Sequence, residues 1–210
     1  MFARPLQLKL PQRGGSHKAR PRFDKAAAVH VTLRVADHVW NLRSRRSFAR
    51  IEACFAASRG RLGLRIIEFS VLGNHLHLLV EADSSAALAR GMQGLSVRLA
   101  KALNRMMRAR GRVFADHFHS RLLRSPSELV RALAYVLGNA AHHFGGRAAH
   151  GEFGGRAAND DRYSSASCDR ERTLGERRTW LLRVGWRRAR PRQPGAPVAS
   201  PAGDARPSAR

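Results

Sequence analysis

Alternating apolar and polar residues near position 30 predict the first β-strand of a folded body. The apolar positions are Val29, Val31, Leu33 and Val35. His30, Thr32 and Arg34 stand between them, so one face of the strand is buried and the other is polar. Apolar residues then recur at helical spacing between residues 47 and 58. We expect a helix there, because this spacing places them on one side of it.

Two β-rich runs separated by a Gly-Asn pair predict a hairpin. The runs are Leu64–Leu72 and His75–Ala82, and the intervening pair is Gly73-Asn74. Two-residue connections of this composition are typical of tight hairpin turns. In that register Ser70 lies opposite His77 on the neighbouring strand.

A long amphipathic helix and a fourth strand follow the hairpin. The apolar stripe of the helix consists of Leu88, Met92, Leu95, Leu99, Leu103 and Met106. Alternation returns over Val113–Leu123 and predicts the fourth strand. Ser125-Pro126-Ser127-Glu128 then opens a last helix, because it supplies a Ser N-cap, Pro at the first helical position and Glu at the third.

The order strand, helix, hairpin, helix, strand predicts an α+β fold of the ferredoxin-like kind. We expect an antiparallel sheet with two helices on one face and the C-terminal tyrosine-bearing helix on the other. Residues 28–145 form the predicted folded body. Residues 1–27 are predicted to be a flexible basic arm, and 146–210 a basic, largely disordered tail with a short helix near 179–188.

The charge of the chain indicates its class of partner. It carries 39 Lys and Arg residues against 15 Asp and Glu, a formal net charge of +24. Whole segments carry one sign, which favours a nucleic acid as partner. The two cysteines, Cys54 and Cys168, lack zinc-knuckle spacing and predict no disulfide framework. With no apolar run of membrane-spanning length, we expect a cytoplasmic, nucleoid-associated protein with no membrane partner.

Two His-x-His pairs are candidates for a metal site. His75 and His77 project from one face of the predicted hairpin strand, and His117 and His119 do the same on the predicted fourth strand. Spacing alone does not separate the two pairs, and either could be a pair of chance surface histidines. Glu68 is placed on the face of His75 and His77, where it is either an assisting group or a sheet-surface charge.

The last helix carries a tyrosine and an asparagine that could reach the histidines. Tyr135 and Asn139 lie one turn apart, away from the apolar stripe of that helix. A helix packed on the free sheet face brings both toward the histidines, although a half-buried tyrosine is the more usual role of such a residue. The only other tyrosine, Tyr163, lies in a polar, Ser-rich segment with no predicted helix.

Basic residues in the body are candidates for contacts to a nucleic acid. Four fall on one side of the long amphipathic helix, and two more lie on the first and fourth strands. They are Arg98, Lys101, Arg105, Arg108, Arg34 and Arg121. Cations arranged along one surface can track a phosphate backbone.

Four motifs occur together in one order. They are Gly73–Glu81 with its His-Leu-His, Arg90–Leu95 with Met-Gln-Gly, Phe118–Leu122, and Tyr135–Asn139 with Tyr-x3-Asn. In this combination the chain resembles the REP-associated tyrosine transposases, which belong to the single-tyrosine HUH superfamily. The resemblance covers residues from about Val29 to His143.

The resemblance implies a set of roles. His75, His77 and Asn139 would hold a divalent cation, Mg2+ or Mn2+, and Tyr135 would be the nucleophile that cuts and rejoins single-stranded and hairpin DNA. His119 would assist and His117 would not. The product would be a covalent 5′-phosphotyrosine with a free 3′-OH, and rejoining would need no nucleotide cofactor because the energy of the broken bond is retained.

Two other functions fit the same sequence features. One is a non-catalytic, nucleic-acid-binding regulator on the same fold, and the other is a rolling-circle replication initiator. The set formed by His75, His77, Tyr135 and Asn139 favours the enzyme over the regulator. A monomer and a homodimer are both compatible with the sequence.

Overall fold

The computed structural model describes residues 22–144 and 161–189, and the side chains of residues 139–144 are outside that description. The elements in chain order are β1 (Ala27–Arg34), α1 (Arg45–Ala56), β2 (Leu64–Val71), β3 (His75–Ala82), α2 (Ser85–Met107), β4 (His119–Leu123), α3 (Pro126–Phe144), α4 (Arg170–Thr173), α5 (Trp180–Arg183) and the 3₁₀ helix η1 (Gly185–Arg188). None of the helices in these two ranges is long and apolar enough to cross a membrane.

The four strands form one antiparallel sheet in the order β2-β3-β1-β4. The predicted hairpin is confirmed, with Ser70 opposite His77 and the amide of Leu72 donating to the carbonyl of His75. In the centre of the sheet, Thr32 of β1 lies between His77 of β3 and His119 of β4. The face that carries these polar residues therefore runs across three strands.

The two faces of the sheet are covered by different helices. On one face, Leu33, Leu76 and Leu78 pack in a core with residues of α1 and α2. On the other, Leu79 packs with Leu129 of α3. The predicted α+β arrangement is confirmed, with two helices on one face and the tyrosine-bearing helix on the other.

Serine caps fix the helix starts. The side chains of Ser44 and Ser84 accept hydrogen bonds from backbone N–H groups in the first turns of α1 and α2. At α3 the predicted capping box is present, since Ser125 accepts from the amide of Glu128 and the Glu128 carboxylate accepts from the amide of Arg124. The start of α3 is thereby fixed at the residue that the sequence indicated.

The fourth strand is shorter than its alternation predicted. It begins at His119 rather than Val113, and only Phe114 of the preceding segment forms a bridge, to Val35. Val113 is nevertheless buried in the core. The alternating apolar residues before His119 therefore belong to a loop that is partly buried, and not to the strand.

Residues 161–189 are folded, although they lie within the predicted largely disordered tail of 146–210; the rest of that tail, and residues 1–21 of the predicted basic arm, lie outside the described residues. The segment runs along the outer edge of β2, where Val71 donates to the carbonyl of Tyr163, Ser165 donates to Phe69, and Gly175 donates to Ile66. Further on, α5 and η1 occupy the region of the predicted short helix and pack against α3. The folded body thus includes a C-terminal segment in addition to residues 28–144.

Candidate active site

His75 and His77 project from the same face of β3, as the strand alternation requires. Their ring centroids are 4.8 Å apart and the rings are nearly perpendicular, at 86°. His77 is buried, with 4% of its surface exposed, whereas His75 is partly exposed. The imidazole of His77 is thus fixed in the protein interior, whereas that of His75 is partly accessible to solvent.

Tyr135 reaches this face from α3. Leu129 and Val136 lie on the buried stripe of the helix, and Tyr135 points off that stripe with 46% of its surface exposed. Its ring centroid is 5.0 Å from that of His77, in an edge-to-face arrangement. The structure therefore places a solvent-accessible phenol beside one of the two predicted histidine ligands.

A third histidine, His30 of β1, completes the cluster and was not predicted to act there. Its ring stacks on His77 with centroids 5.3 Å apart and meets Tyr135 edge-on at 5.7 Å. His30 Nε2 lies 3.2 Å from His77 Nδ1, and Thr32 Oγ1 lies at the same distance from that nitrogen. The alternation of β1 already placed His30 on the polar face, but only the strand order puts β1 beside β3.

The environment of His30 favours its neutral form. Burial lowers its pKa below the ordinary histidine value, and the positive charge of Arg121 lowers it further. A neutral imidazole has one donor and one acceptor nitrogen, so His30 can exchange a hydrogen bond with His77.

The two histidines of β3 fit a metal through their Nε2 atoms. His75 Nδ1 is 2.7 Å from Asn74 Oδ1, and His77 Nδ1 is the nitrogen that faces His30 and Thr32. Histidine ligands commonly bind metal through one ring nitrogen while the other is held by a protein group. Among the residues with described side chains, no group of three His, Cys, Asp or Glu could hold a metal.

Asn139, the predicted third ligand, lies in α3 one turn after Tyr135. Its backbone is part of the helix, and its side chain lies outside the described residues. An amide oxygen is a suitable ligand for Mg2+ or Mn2+.

Cations line the cavity in front of the cluster. A cavity of about 370 Å3 is bordered by His30, His77 and Tyr135 together with Arg121 and Arg131. Arg121, a predicted DNA contact, also lies 3.6 Å from the carboxylate of Glu128. Glu128 lines the same cavity, and the two arginines provide guanidinium groups that suit a phosphate.

A second cavity holds the remaining strand residues that the sequence singled out. About 590 Å3 in volume, it is lined by Arg34, His75, His117 and His119 among others. His117 and His119 are both exposed, and the structure does not bring them into ring contact with His77 or Tyr135. His119 therefore borders the site on the side of His75.

Glu68 is neither a group that assists the histidines nor a charge on the sheet surface, the two roles expected from the sequence. Its side chain is buried rather than a surface charge, and its carboxylate binds the C-terminal segment rather than the histidines. Ser165 Oγ donates to Oε2 at 2.6 Å, and Arg170 and Arg177 reach Oε1 at 2.5 and 2.8 Å. The reason is the position of β2 at the sheet edge, where this carboxylate meets the basic segment that follows α3.

The basic side of α2 lies on the other face of the sheet from Tyr135. Arg98, Lys101 and Arg105 border one open cavity of about 370 Å3, and Arg108 is exposed at the C-terminal cap of the helix. Because α2 packs on the α1 side of the sheet, these cations form a surface separate from the histidine cluster.

These elements define an α+β fold in which histidines of an antiparallel sheet and a tyrosine of a covering helix meet on one face. No protein-family model matches the chain, and no curated protein matches it. Among solved structures, it is similar to a REP-associated tyrosine transposase bound to a REP hairpin, at 12% sequence identity and a TM-score of 0.54, over 71% of this chain and 82% of that one. At this level of identity the similarity establishes a transposase-like fold, as the sequence motifs predicted.

Proposed function

We propose that this protein is a metal-dependent transesterase that cuts and rejoins single-stranded DNA, acting as a transposase on hairpin-bearing repeats. The observation that carries the proposal is the contact of Tyr135 with His77, whose ring centroids are 5.0 Å apart. A solvent-accessible phenol beside a pair of histidines supplies a nucleophile next to groups that suit a cation. The fold similarity to a hairpin-bound tyrosine transposase supports the same conclusion.

The reaction exchanges one phosphate ester for another. The phenol oxygen of Tyr135 loses its proton and attacks phosphorus, forming the tyrosyl O–P bond as the P–O3′ bond of the DNA breaks. The 3′ oxygen takes up a proton and leaves as a free 3′-OH, while the 5′-phosphate stays on the enzyme. Attack by a 3′-OH on this phosphotyrosine reverses the step and rejoins the strand, so no nucleotide cofactor is consumed.

The proposed ligands of the cation are His75 and His77, through Nε2, and Asn139. When bound, Mg2+ or Mn2+ would neutralise charge on the phosphate and polarise phosphorus. The residues of the chain orient the strand: Arg121 and Arg131 offer guanidinium groups to phosphate oxygens within the cavity that Tyr135 borders. A strand must be unpaired for its phosphate to enter this cavity between β-sheet and helix.

The direct test is the covalent intermediate. The full-length protein would be incubated with Mn2+ and single-stranded oligonucleotides that carry a hairpin, and then denatured in SDS. An oligonucleotide that stays attached to the protein supports the transesterase. If DNA is bound but no attached product forms with any hairpin substrate, the protein is a binding module instead.

Within this mechanism His30 acts as a positioning residue. Its Nε2 faces Nδ1 of His77, so it holds the ring orientation and directs Nε2 of His77 toward the cation. Stacking of the two rings limits rotation of His77 as well. His30 therefore acts on the metal through His77.

Replacing His30 by Phe is expected to weaken Mn2+ binding about 10- to 100-fold, the usual effect of losing a group that orients a metal ligand. Phe retains a stacking ring but removes the nitrogen. Calorimetric titration of the metal into the protein without DNA measures this effect separately from activity. Thr32→Val, which removes the other hydrogen-bonding partner of the same nitrogen, provides a comparison. Wild-type affinity in His30→Phe would contradict the role.

The cations of α2 are proposed to bind the DNA backbone away from the cleaved phosphate. Changing Arg98, Lys101, Arg105 and Arg108 to Gln is expected to weaken single-strand binding. The slope of log affinity against log salt should fall by about one unit for each phosphate that the variant no longer neutralises. Fluorescence anisotropy at several salt concentrations measures that slope.

A control variant separates this effect from a general loss of charge. Arg45, Arg46 and Arg50 are exposed cations of α1, and their change to Gln should alter the slope much less. An unchanged slope in the α2 variant would assign the phosphate contacts to other basic segments, such as residues 1–27.

A further inference from the structure

Two tryptophans of the C-terminal segment are exposed although the segment is packed on the domain. Trp180 of α5 exposes 51% of its surface and Trp186 of η1 exposes 36%. Indole rings contribute more to stability when they are buried, so a pair of them on one short surface segment indicates a contact with a partner.

The scaffold beneath these rings is fixed. Leu182, between them in sequence, is buried in the core that α3 forms with the sheet. The backbone amides of Arg178 and Thr179 donate to the carboxylate of Glu81, both at 2.9 Å. The segment that carries the tryptophans is therefore held at its start and at its centre.

Gly185 allows Trp180 to lie directly against the backbone of η1. A Cβ atom at this position would stand 2.6 Å from Cζ3 of the indole, a distance that ordinary side chains do not reach. The ring thus has a defined position, which is the condition for a stacking surface.

One arginine lies near each ring. Five occur between residues 177 and 188, a stretch without acidic residues: Arg177, Arg178, Arg183, Arg187 and Arg188. The guanidinium carbon of Arg187 lies 5.6 Å from the ring centroid of Trp186, and that of Arg188 lies 5.5 Å from the ring centroid of Trp180. Exposed indoles alternate here with groups that bind phosphate.

We infer that this Trp–Arg surface, formed by residues 178–188, binds single-stranded DNA by stacking bases on Trp180 and Trp186 while the arginines bind the backbone. Base-on-aromatic stacking combined with cations is the usual means of holding an unpaired strand without reading its sequence. A duplex hides the faces of its bases and would leave the indoles unused. The inference rests on the proposed function for its ligand, the strand that flanks the cleavage site.

A membrane surface fits the Trp–Arg surface less well. Membrane-binding helices present a continuous apolar face, whereas Leu182 is buried in the protein and Leu181 packs against the same core. The position also favours DNA, because η1 and α5 pack on α3, the helix that carries Tyr135. A strand leaving the active site could therefore continue onto this surface.

Tryptophan emission tests the inference directly. The chain has three tryptophans, so Trp40→Phe leaves only Trp180 and Trp186 to report. In that protein we expect a short oligothymidylate to quench the emission in a saturable manner, and duplex DNA of equal length to quench it less. Vesicles of phosphatidylcholine and phosphatidylserine should leave the emission unchanged.

Binding affinity provides the second measurement. Trp180→Ala and Trp186→Ala should each weaken oligothymidylate binding by about fivefold to a hundredfold. Trp180→Phe and Trp186→Phe should recover part of the affinity, because a smaller ring still stacks. Trp40→Ala is the matched control, since Trp40 is also exposed, at 50%, and has Arg46 6.0 Å from its ring centroid, yet lies outside this segment.

Several outcomes would overturn the inference. These are wild-type affinity in both alanine variants while circular dichroism reports a native fold, an equal loss of affinity in Trp40→Ala, or quenching by vesicles alone. If the covalent adduct forms but the alanine variants bind oligothymidylate with wild-type affinity, the inferred role of the Trp–Arg surface is contradicted and the transesterase proposal is supported. Suppose instead that oligothymidylate quenches the tryptophan emission and the alanine variants bind it more weakly, but no covalent adduct ever forms. The Trp–Arg surface is then supported and the transesterase proposal is contradicted.

Discussion

Tyr135→Phe is expected to eliminate the covalent protein–DNA adduct while leaving the fold and hairpin binding intact. The change removes one oxygen from a side chain that is 46% exposed and keeps the ring that meets His30 and His77. The free energy of unfolding should therefore change by less than about 0.5 kcal/mol. Incubation with labelled hairpin oligonucleotide and Mn2+, followed by SDS electrophoresis, measures the adduct.

Tyr163→Phe is the matched control, because the chain has two tyrosines. Tyr163 packs edge-on against Phe48 of α1, and the guanidinium of Arg43 lies 4.6 Å from its ring centroid. It is therefore held on the α1 side of the molecule and should retain full adduct formation when changed. An adduct that persists in Tyr135→Phe and disappears in Tyr163→Phe would contradict the assignment.

His75→Ala is expected to lower Mn2+-dependent cleavage by at least about a hundredfold, since loss of a proposed ligand would release a cation that is expected to contribute several kcal/mol to transition-state stabilisation. DNA binding should remain close to wild type, because His75 is only one of many polar groups near the cavities. Cleavage of a labelled single strand with and without Mn2+ measures the first effect, and anisotropy measures the second.

His117→Ala and His119→Ala separate the two histidine pairs. Both side chains are exposed, and both border the cavity that His75 lines. We expect His117→Ala to cleave like wild type and His119→Ala to lose less activity than His75→Ala. Full activity in His75→Ala, or loss of cleavage confined to His119→Ala, would move the metal site to β4.

Local signals in the sequence predicted most of the elements that build the site. Gly73-Asn74 set the hairpin register, and that register alone put Ser70 opposite His77. The capping residues at 125–128 fixed the start of α3 and hence the direction of Tyr135. Turns and helix caps depend on residues that are close together in the chain, so a single sequence is enough to predict them.

Local sequence signals do not determine the order of the strands in the sheet. The polar position of His30 was visible in the alternation of β1, but its contact with His77 exists because β1 lies between β3 and β4. Spacing along the chain does not set that order, although the predicted ferredoxin-like arrangement implies it, with β1 between β3 and β4. The contact between His30 and His77 therefore follows from the fold and not from a local motif.

The docking of the C-terminal segment was missed because it is long-range and combines burial of Leu174 and Leu182 with buried polar contacts. Glu68 and Glu81 are buried, and they bind Arg170 and the amide of Arg178, which follow them by 102 and 97 residues. In sequence the segment has the composition of a basic linker. The two buried carboxylates that hold it looked like ordinary polar positions of strands.

The docking of the C-terminal segment against β2 affects how the protein folds while it is synthesised on the ribosome. The sheet and the tyrosine helix are synthesised first, with the outer edge of β2 unpaired and Glu68 lacking the three residues that bind it. An exposed strand edge promotes aggregation, and breaking a buried ion pair costs about 3–5 kcal/mol. All of these contacts are available only once the chain extends through Arg177, so a product that ends earlier leaves this edge uncovered and lacks the partners of Glu68.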